Sequence, residues 1–417
     1  MGLLRLFKRQ GLRVQPFKCG PDYIDTQFHA IAAGQPSVNL DPWMQGAEEM
    51  RRIYDRYARE ADICVVEGAM GLFDGYDRDT GSAAEVARLL DLPVVLVVAA
   101  RSVAFSVAPL LYGFRHFDER LRIEGVIFNE VGSAKHEAML RQAAEAAGVR
   151  CLGCVPRVAS LQMPSRHLGL TLTEQERMNE MADRVADVLE SLPSLPTGSA
   201  GKEPVVGASP RWQATLHSYI ARDACFSFCY QTTIDALAAL GEVSFFSPLA
   251  NEPVPDEASF IYLPGGYPEL FAEQLAVSTV TMASLRLHAE RGTQMIAECG
   301  GMMYLGRSIE TDEPRSYPMC GLLPLDTTMQ GARLQLGYRQ CSLDGIALRG
   351  HEFHYSRLST CDLPSIAQQS RPTGEPTDTL LMRQGSILAG YTHWFWTTTA
   401  LKQLTVSFAD FCHDSVI

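Results

Sequence analysis

The segment Met295-Ile296-Ala297-Glu298-Cys299-Gly300-Gly301 carries an apolar run directly into a thiol and two glycines. This order predicts a strand that delivers Cys299 into a tight turn before a helix, an arrangement known as a nucleophile elbow. Small residues are needed there because a side chain would block the substrate and the N–H groups that face a developing oxyanion. A second glycine pair, Gly265-Gly266, follows the apolar run 260–264 and could supply another N–H donor. The competing interpretation of Cys299 is a buried core cysteine.

The length of 417 residues favours two or three domains. The hydrophobic fraction of 46% and the charged fraction of 20% are typical of a globular protein. We find no stretch of about 20 apolar residues that could span a membrane and no secretory signal, and we therefore expect a cytoplasmic protein. The net charge of −12 argues against binding to a nucleic-acid backbone. Small-molecule chemistry is the better expectation.

The eleven cysteines do not follow the paired spacing of a zinc site. Cys151 and Cys154 form a lone CxxC, and Cys225 and Cys229 have strand-like neighbours. The sequence favours a structural role for both pairs.

The first half alternates apolar strand-like runs with amphipathic segments, which predicts parallel βαβ units. The predicted strands are 12–17, 63–67, 93–98, 125–129 and 151–155, and the predicted helices include 45–60, 82–90, 102–114, 134–147 and 172–192. A Pro/Gly/Ser-rich stretch then predicts a linker. A second α/β region follows, with strands near 219, 242–246, 260–263 and 294–298. The predicted division is a domain at 1–192, a linker at 193–214 and a domain at 215–417.

Polar residues follow two of the first predicted strands. Lys18, Asp22 and Asp25 come after the first strand, and Glu67 ends the second, with Asp74 in the turn beyond it. The carboxyl ends of parallel strands are where open α/β folds bind ligands, and carboxylates there suit Mg²⁺. Each residue alone fits an ordinary turn or a solvated strand end. Their convergence on adjacent sheet ends favours a site.

Six motifs, in this order, make the chain resemble the cobyrinate (hydrogenobyrinate) a,c-diamide synthase family. They are PFKCGPDYID (16–25), VVEGAMGLFDG (65–75), RHLGL (166–170), LPGGYPEL (263–270), AECGGMMYLG (297–306) and GHEFHYSR (350–357). The resemblance covers nearly the whole chain and none of the motifs is a generic pattern. It implies a P-loop-NTPase-like (dethiobiotin-synthetase-like) parallel sheet followed by a class I glutamine amidotransferase domain of flavodoxin-like fold.

In the C-terminal domain, the resemblance implies that Cys299 attacks the glutamine carboxamide and that His393 is its base. Gly265, Gly266 and Gly300 would form the oxyanion and glutamine site. Where the family has a second histidine two positions on, this chain has Phe395, so another group must orient His393. We interpret His351 and His354 as wall or interdomain residues. The alternative for His393 is a core histidine among the aromatic residues 394–396.

In the N-terminal domain, the resemblance implies that Asp22, Asp25, Glu67 and Asp74 handle Mg²⁺ and phosphates, with Lys18 as a further nucleotide ligand. Tyr23 and Ile24 would face the corrin, and Asn129 would read the adenine. The implied reaction phosphorylates a substrate carboxylate with ATP, and ammonia from the second domain then displaces phosphate.

Relatives begin with a strand and a glycine-rich phosphate loop, but no GxxxxGK[ST] pattern occurs in these 417 residues. We expect a misplaced or lost start, and exposed apolar faces on the strands beside the missing one. Two smaller departures are Ala99, where an aspartate is usual, and Ser165, where a glutamate is usual.

The predicted function is ATP- and glutamine-dependent amidation of the a and c acetates of cobyrinate or hydrogenobyrinate. The expected small-molecule partners are corrin, glutamine and ATP, with Mg²⁺ as cofactor; a homodimer is left open, and neither nucleic acid nor membrane is expected. The alternatives are a Ni-sirohydrochlorin a,c-diamide synthase and a truncated remnant with glutaminase activity. A ParA-like ATPase switch gives no reason for Cys299.

Overall fold

The computed structural model describes residues 1–158, 172–190 and 216–405. These residues form two compact units, the first of 1–158 and 172–190 and the second of 216–405. The motif at 166–170, with Ser165, and the linker predicted at 193–214 lie outside the described residues. The predicted domain boundaries therefore stay predictions.

Six parallel strands form the sheets of the first unit. They are β1 (Val14–Cys19), β2 (Val38–Leu40), β3 (Ile63–Glu67), β4 (Pro93–Ala99), β5 (Arg122–Val131) and β6 (Cys151–Pro156). Their hydrogen bonds divide them into two sheets, in the orders β2-β1-β3 and β4-β5-β6. Five of these strands were predicted; β2 was missed because three residues are too short to show a period.

The helices of the first unit are α1 (Gly2–Arg9), α2 (Ile24–Ala33), α3 (Pro42–Gln45), α4 (Ala47–Ala58), α5 (Ala83–Leu90), α6 (Val107–Phe117), α7 (Ala134–Ala146) and α8 (Leu172–Glu190). The helix predicted at 45–60 is wrong at its start, because Gly46 adopts a φ of 77° and separates α3 from α4. The helix predicted to begin at Ser102 begins five residues later. Ser102 itself has a φ of 63°, which ordinary helix does not allow.

Within the described residues, β3 pairs only with β1 and β4 pairs only with β5, so each strand has one edge without a partner strand. Their positions are also less buried than those of β1, which is buried throughout. Val97 in β4 is 65% exposed, although it lies in a run of valines typical of a strand covered on both faces. The expected exposure of apolar strand positions is therefore confirmed at Val97.

The second unit is built on a six-stranded sheet. Its strands are β7 (Leu216–Ala221), β8 (Gly241–Phe246), β9 (Phe260–Leu263), β10 (Gln294–Glu298), β17 (Leu381–Gln384) and β18 (Ile387–Gly390). Five are parallel in the order β8-β7-β9-β10-β18, and β17 adds an antiparallel edge. Counted along the chain, the parallel order is 2-1-3-4-5, which is the flavodoxin-like order and confirms that prediction.

Helices and smaller strands surround this sheet. The helices are α9 (Gln231–Ala238), α10 (Ala272–Ala276), α11 (Thr279–Glu290) and α12 (Gly300–Leu305), and a 3₁₀ turn spans Pro268–Phe271. The added strands are β11 (Ser308–Glu310), β12 (Ser316–Pro318), β13 (Leu325–Thr328), β14 (Gln335–Leu343), β15 (Ile346–His354), β16 (Arg357–Cys361) and β19 (His393–Trp394). They form the sheets β12-β11-β13-β16 and β14-β15-β19. Among the described residues, no helix is both long and apolar enough to span a bilayer.

Candidate active site

Cys299 lies between the end of β10 and the first residue of α12. Its backbone adopts φ 47° and ψ −106°, which a residue with a Cβ rarely does. The Cys299 N–H donates to the Gly390 carbonyl at 2.7 Å, which fixes the turn to the neighbouring strand β18. The structure thus places this thiol in the sharp strand-to-helix turn that the sequence predicts.

The glycines around Cys299 are required by close packing. A Cβ at Gly300 would lie 2.9 Å from Pro268 Cδ and 3.0 Å from the Gly266 nitrogen. A Cβ at Gly265 would overlap the imidazole of His393. The turns after β9 and β10 therefore meet, and His393 lies against the first of them.

His393 begins β19 and is 1% exposed. Its Nδ1 lies 3.9 Å from Oε2 of Glu298, the residue that precedes the thiol. Glu298 in turn accepts hydrogen bonds from Tyr262 Oη at 2.6 Å, the Trp394 N–H at 3.1 Å and Trp396 Nε1 at 2.7 Å. The Glu298 carboxyl is thus held by three donors and lies beside the imidazole, at a separation longer than a hydrogen bond.

Burial shifts the pKa of Cys299, His393 and Glu298 in the direction that favours the neutral form of each side chain. It raises the pKa of the Cys299 thiol well above its usual range, and the nearby Glu269 carboxyl adds to this. Burial lowers the pKa of His393 to about 3, and His351 and His354 lower it further. Burial also raises the pKa of Glu298 to about 7, against the lowering effect of its hydrogen bonds. Burial therefore disfavours a thiolate at Cys299 and an imidazolium at His393.

His351 and His354 lie on β15, and His351 is paired in register with His393 on β19. His354 Nε2 lies 2.7 Å from Glu352 Oε1, and its ring stacks on Tyr391 at 3.7 Å. Arg339 Nε lies 2.6 Å from the other Glu352 oxygen. This buried ionic network occupies His354, which agrees with its interpretation as a wall residue.

A cavity of about 820 Å³ opens beside this network. Glu352, His354 and Tyr391 line its inner part. Four arginines also line it: Arg333, Arg339, Arg357 and Arg371. Such a wall suits a molecule that carries carboxylates.

In the first unit, Lys18 is the centre of a charged cluster. Its side chain is 2% exposed, and its Nζ lies 2.6 Å from Asp25 Oδ2, 2.9 Å from Glu67 Oε1 and 3.8 Å from Asp22 Oδ2. Pairing of β1 with β3 sets Lys18 opposite Glu67, while the turn into α2 brings the two aspartates back. Four of the predicted residues are thus brought together.

Burial raises the pKa of Glu67, but the His29 hydrogen bond and the Lys18 charge outweigh it and hold that pKa far below its usual range. Burial lowers the pKa of Lys18, and the Glu67 and Asp25 carboxylates outweigh this and raise it. Burial and the neighbouring Asp25 raise the pKa of Asp22. Lys18 and Glu67 therefore form an ionised pair.

The remaining predicted residues lie apart or at the edge of this cluster. Asp74 is exposed and accepts a hydrogen bond from the Gly71 N–H at 3.1 Å, which closes its own turn. Asn129 is exposed near the end of β5, with its Oδ1 accepting from the Glu130 N–H at 2.9 Å. Tyr23 is the buried N-cap of α2, and Ile24 is its half-buried first residue.

Two residues of these sites were missed by the sequence reasoning. Glu298 stands within the motif that identified Cys299, and an acid closing an apolar strand was the available signal. His29 bonds Glu67 Oε2 at 2.9 Å and Ser37 Oγ at 3.1 Å. It follows Asp25 by four positions in α2, a spacing that places both on one helix face.

Comparisons with known proteins match both units. A family model described as a CobB/CobQ-like glutamine amidotransferase domain matches residues 219–400, and one described as an AAA domain matches residues 35–165. The chain is 40% identical to a protein of Gloeobacter violaceus named cobyrinate a,c-diamide synthase, over 96% of this chain and 91% of that protein. The chain belongs to the cobyrinate/hydrogenobyrinate a,c-diamide synthase family.

Other members of this synthase family are similar over the same extent. A protein of Brucella abortus named hydrogenobyrinate a,c-diamide synthase is 39% identical, over 94% of each chain. One of the same name from Pseudomonas aeruginosa is 38% identical, over 94% of this chain and 90% of that protein. The predicted resemblance and the two-domain fold class are therefore confirmed.

Proposed function

We propose that this protein amidates the a and c acetate carboxylates of cobyrinate or hydrogenobyrinate, using glutamine as nitrogen donor and ATP as energy source. The observation that carries the proposal is similarity to synthases of that name over both units, covering 96% of the chain. The Cys299 elbow, with His393 and Glu298 beside it, supports the glutaminase part.

In the glutaminase reaction, Cys299 Sγ attacks the carboxamide carbon of glutamine while His393 accepts the thiol proton. The carbonyl oxygen becomes an oxyanion, which the backbone N–H groups at Gly266 and Gly300 would stabilise. His393 returns the proton as the C–N bond breaks, and ammonia leaves. Water then attacks the thioester, releasing glutamate and the free thiol. Glu298 would hold the imidazole and stabilise its charged form.

In the synthetase reaction, a substrate carboxylate oxygen attacks the γ-phosphorus of ATP, giving an acyl phosphate and ADP. Ammonia then attacks the acyl carbon and phosphate leaves, which forms the amide. Lys18 would neutralise charge as two anions approach, with Tyr23 and Ile24 against the corrin and Asn129 against the adenine.

Asp22, Asp25 and Glu67 fit Mg²⁺ by donor type, since hard carboxylate oxygens are the ligands this ion prefers. In the arrangement seen here, Asp25 and Glu67 are paired with Lys18, and the described residues contain no preformed group of three metal-ligating side chains. These three carboxylates would hold the ion together with phosphate oxygens. Bound there, Mg²⁺ would neutralise charge on the triphosphate.

The test measures glutamate release, ATP hydrolysis and amidated corrin for the full chain and for Cys299→Ala. The variant should lose glutamine-dependent amidation but keep amidation supplied with ammonium chloride. Cys341→Ala, a half-buried thiol of the same unit, is the matched control and should change neither activity. Glutamine-dependent amidation by Cys299→Ala would contradict the proposal.

A second candidate is a glutaminase without synthetase activity. The observation that favours it is that the described strands of the first unit form two separate sheets, β2-β1-β3 and β4-β5-β6, and not one continuous sheet. This candidate predicts Cys299-dependent glutamate release with neither ATP hydrolysis nor amidated corrin, even when ammonia is supplied.

A further inference from the structure

Cys151 and Cys154 lie with their sulfur atoms 3.9 Å apart on β6. In a regular strand, residues three apart point to opposite faces of the sheet. Here the pairing of β6 with β5 shifts register, since Cys151 pairs with Val126 and Gly153 pairs with Ile127. The extra residue, Leu152, forms a bulge that returns Cys154 to the face of Cys151.

The surroundings of the two thiols differ. Cys151 is half-buried, whereas Cys154 is 6% exposed. The Arg141 guanidinium on α7 reaches Cys151 Sγ at 3.7 Å while also pairing with Glu137 at 2.8 Å. Arginine at this position favours a thiolate and disfavours a bound metal cation. The first thiol is thus accessible and near a positive charge, and the second is buried behind it.

The titration of the pair agrees with this geometry. The Cys154 hydrogen bond, opposed by burial and assisted by the Arg141 charge, lowers the pKa of Cys151 to about 7. The same bond raises the pKa of Cys154, and burial raises it further. A substantial fraction of Cys151 is therefore thiolate at neutral pH, which is the form that attacks a disulfide.

We propose that Cys151 and Cys154 form a redox-active dithiol that reacts with low-molecular-weight disulfides, Cys151 as the attacking thiol and Cys154 as the resolving thiol. Cys151 thiolate attacks one sulfur of the small disulfide, forming a mixed disulfide and releasing one small thiolate. The Cys154 thiol gives its proton to the small thiolate already released and attacks Cys151 Sγ, which breaks the mixed disulfide and releases the second small thiolate. The protein is oxidised by two electrons and one small disulfide is reduced to two thiols.

The bulge makes this second step feasible. A disulfide requires the sulfurs to approach to about 2.05 Å and Cα atoms of about 4.4–6.8 Å separation. Three steps along a regular strand span about 10 Å, so a bridge there would need the strand to contract. The register shift at Leu152 already departs from the regular strand, and further contraction at that residue would close the bond.

The experiment treats the full chain with glutathione disulfide, blocks remaining thiols with N-ethylmaleimide and maps peptides by mass. The wild type should show an intramolecular Cys151–Cys154 disulfide, and Cys154→Ser should retain glutathione on Cys151. Cys361, half-buried in the other unit, is the internal reference. Cys151 should react about fivefold faster at pH 7, because its lowered pKa leaves a substantial fraction as thiolate, although this thiolate is a weaker nucleophile than that of an ordinary thiol.

The pH profile of the Cys151 reaction separates this role from mere exposure. Its midpoint should lie near pH 7 in the wild type and move upward in Arg141→Gln, which keeps both thiols. A Cys151 that reacts no faster than Cys361, or a midpoint unchanged by Arg141→Gln, would overturn the proposal. Glutathione persisting on Cys151 in the wild type would overturn the resolving role of Cys154.

Discussion

The Cys299 site and the Lys18 cluster both bury ionisable side chains, but they treat charge in opposite ways. Burial raises the pKa of Cys299 and Glu298 and lowers that of His393, which favours the neutral form of each side chain. In the Lys18 cluster, the His29 hydrogen bond and the Lys18 charge hold the pKa of Glu67 far below its usual range, so that this carboxylate is charged. A buried nucleophile can therefore remain neutral until it reacts. A site that binds the anionic groups of ATP and a carboxylate needs a charged side chain before these ligands bind.

The largest expected effect is at the neutral site. His393→Asn should lower glutamate release by about 10²- to 10⁴-fold, because proton transfer to and from the thiol is lost. Amidation supplied with ammonium chloride should not change. His351→Asn is the control, since His351 pairs with His393 across β15 and β19. An equal loss in both variants would contradict the assignment of the base.

Lys18→Met should impair the synthetase reaction, which depends on the Lys18 cluster, and should leave the glutaminase reaction unchanged. Two carboxylates would remain without their cation, and the free energy of unfolding should fall by about 2 kcal/mol, below the value for a fully buried pair. The expected loss of stability is smaller than that of a fully buried pair because the Glu67 side chain is 45% exposed. Ammonia-supplied amidation should be lost and glutamate release kept, with the exposed Lys8→Met as control. Loss of glutamate release would show that the two sites are not independent.

Glu298→Gln should change how stability depends on pH. The folded pKa of Glu298 is raised to about 7, so its stabilising contribution is full below the unfolded pKa and is lost as pH rises to 7 and beyond. Between pH 4 and 8 the wild type should lose about 3 kcal/mol that the variant does not lose. Denaturant unfolding of both proteins across this range measures the difference; parallel curves would show that Glu298 is ionised throughout.

The smallest expected effect is at Asn129, which is exposed near the end of β5. Asn129→Ala should raise the KM for ATP a few-fold while the free energy of unfolding changes by less than about 0.5 kcal/mol. Glu145→Gln, a change to an exposed side chain on α7, serves as the comparison and should leave the KM for ATP unchanged. An unchanged KM for ATP in Asn129→Ala would show that Asn129 does not contribute to nucleotide binding.

Much of the fold was predictable because parallel strands buried on both faces are continuous apolar runs. The bounds of β3 and β9 agree with the prediction at both ends. The strands from β11 to β16, most of which pair antiparallel, were not predicted. Their residues alternate weakly, and their pairing depends on neighbours distant in sequence. In the same way, Gly46 divides α3 from α4 through a backbone angle that composition does not reveal.

The sequence by itself determined the family, and through that resemblance it implied the flavodoxin-like strand order of the second unit, because motifs and apolar periodicity are local. It predicted Cys299, His393 and Lys18 as site residues but missed Glu298 and His29. The tertiary structure determined which of the carboxyl groups are ionised. Glu298 and Glu67 each end an apolar strand, yet Glu298 is enclosed by aromatic donors and has a raised pKa, while Glu67 meets Lys18 and His29 and has a lowered one. It also brought Cys151 and Cys154 together, through one bulge. Burial and proximity arise only when distant segments pack, and these set the chemistry of each carboxyl and thiol.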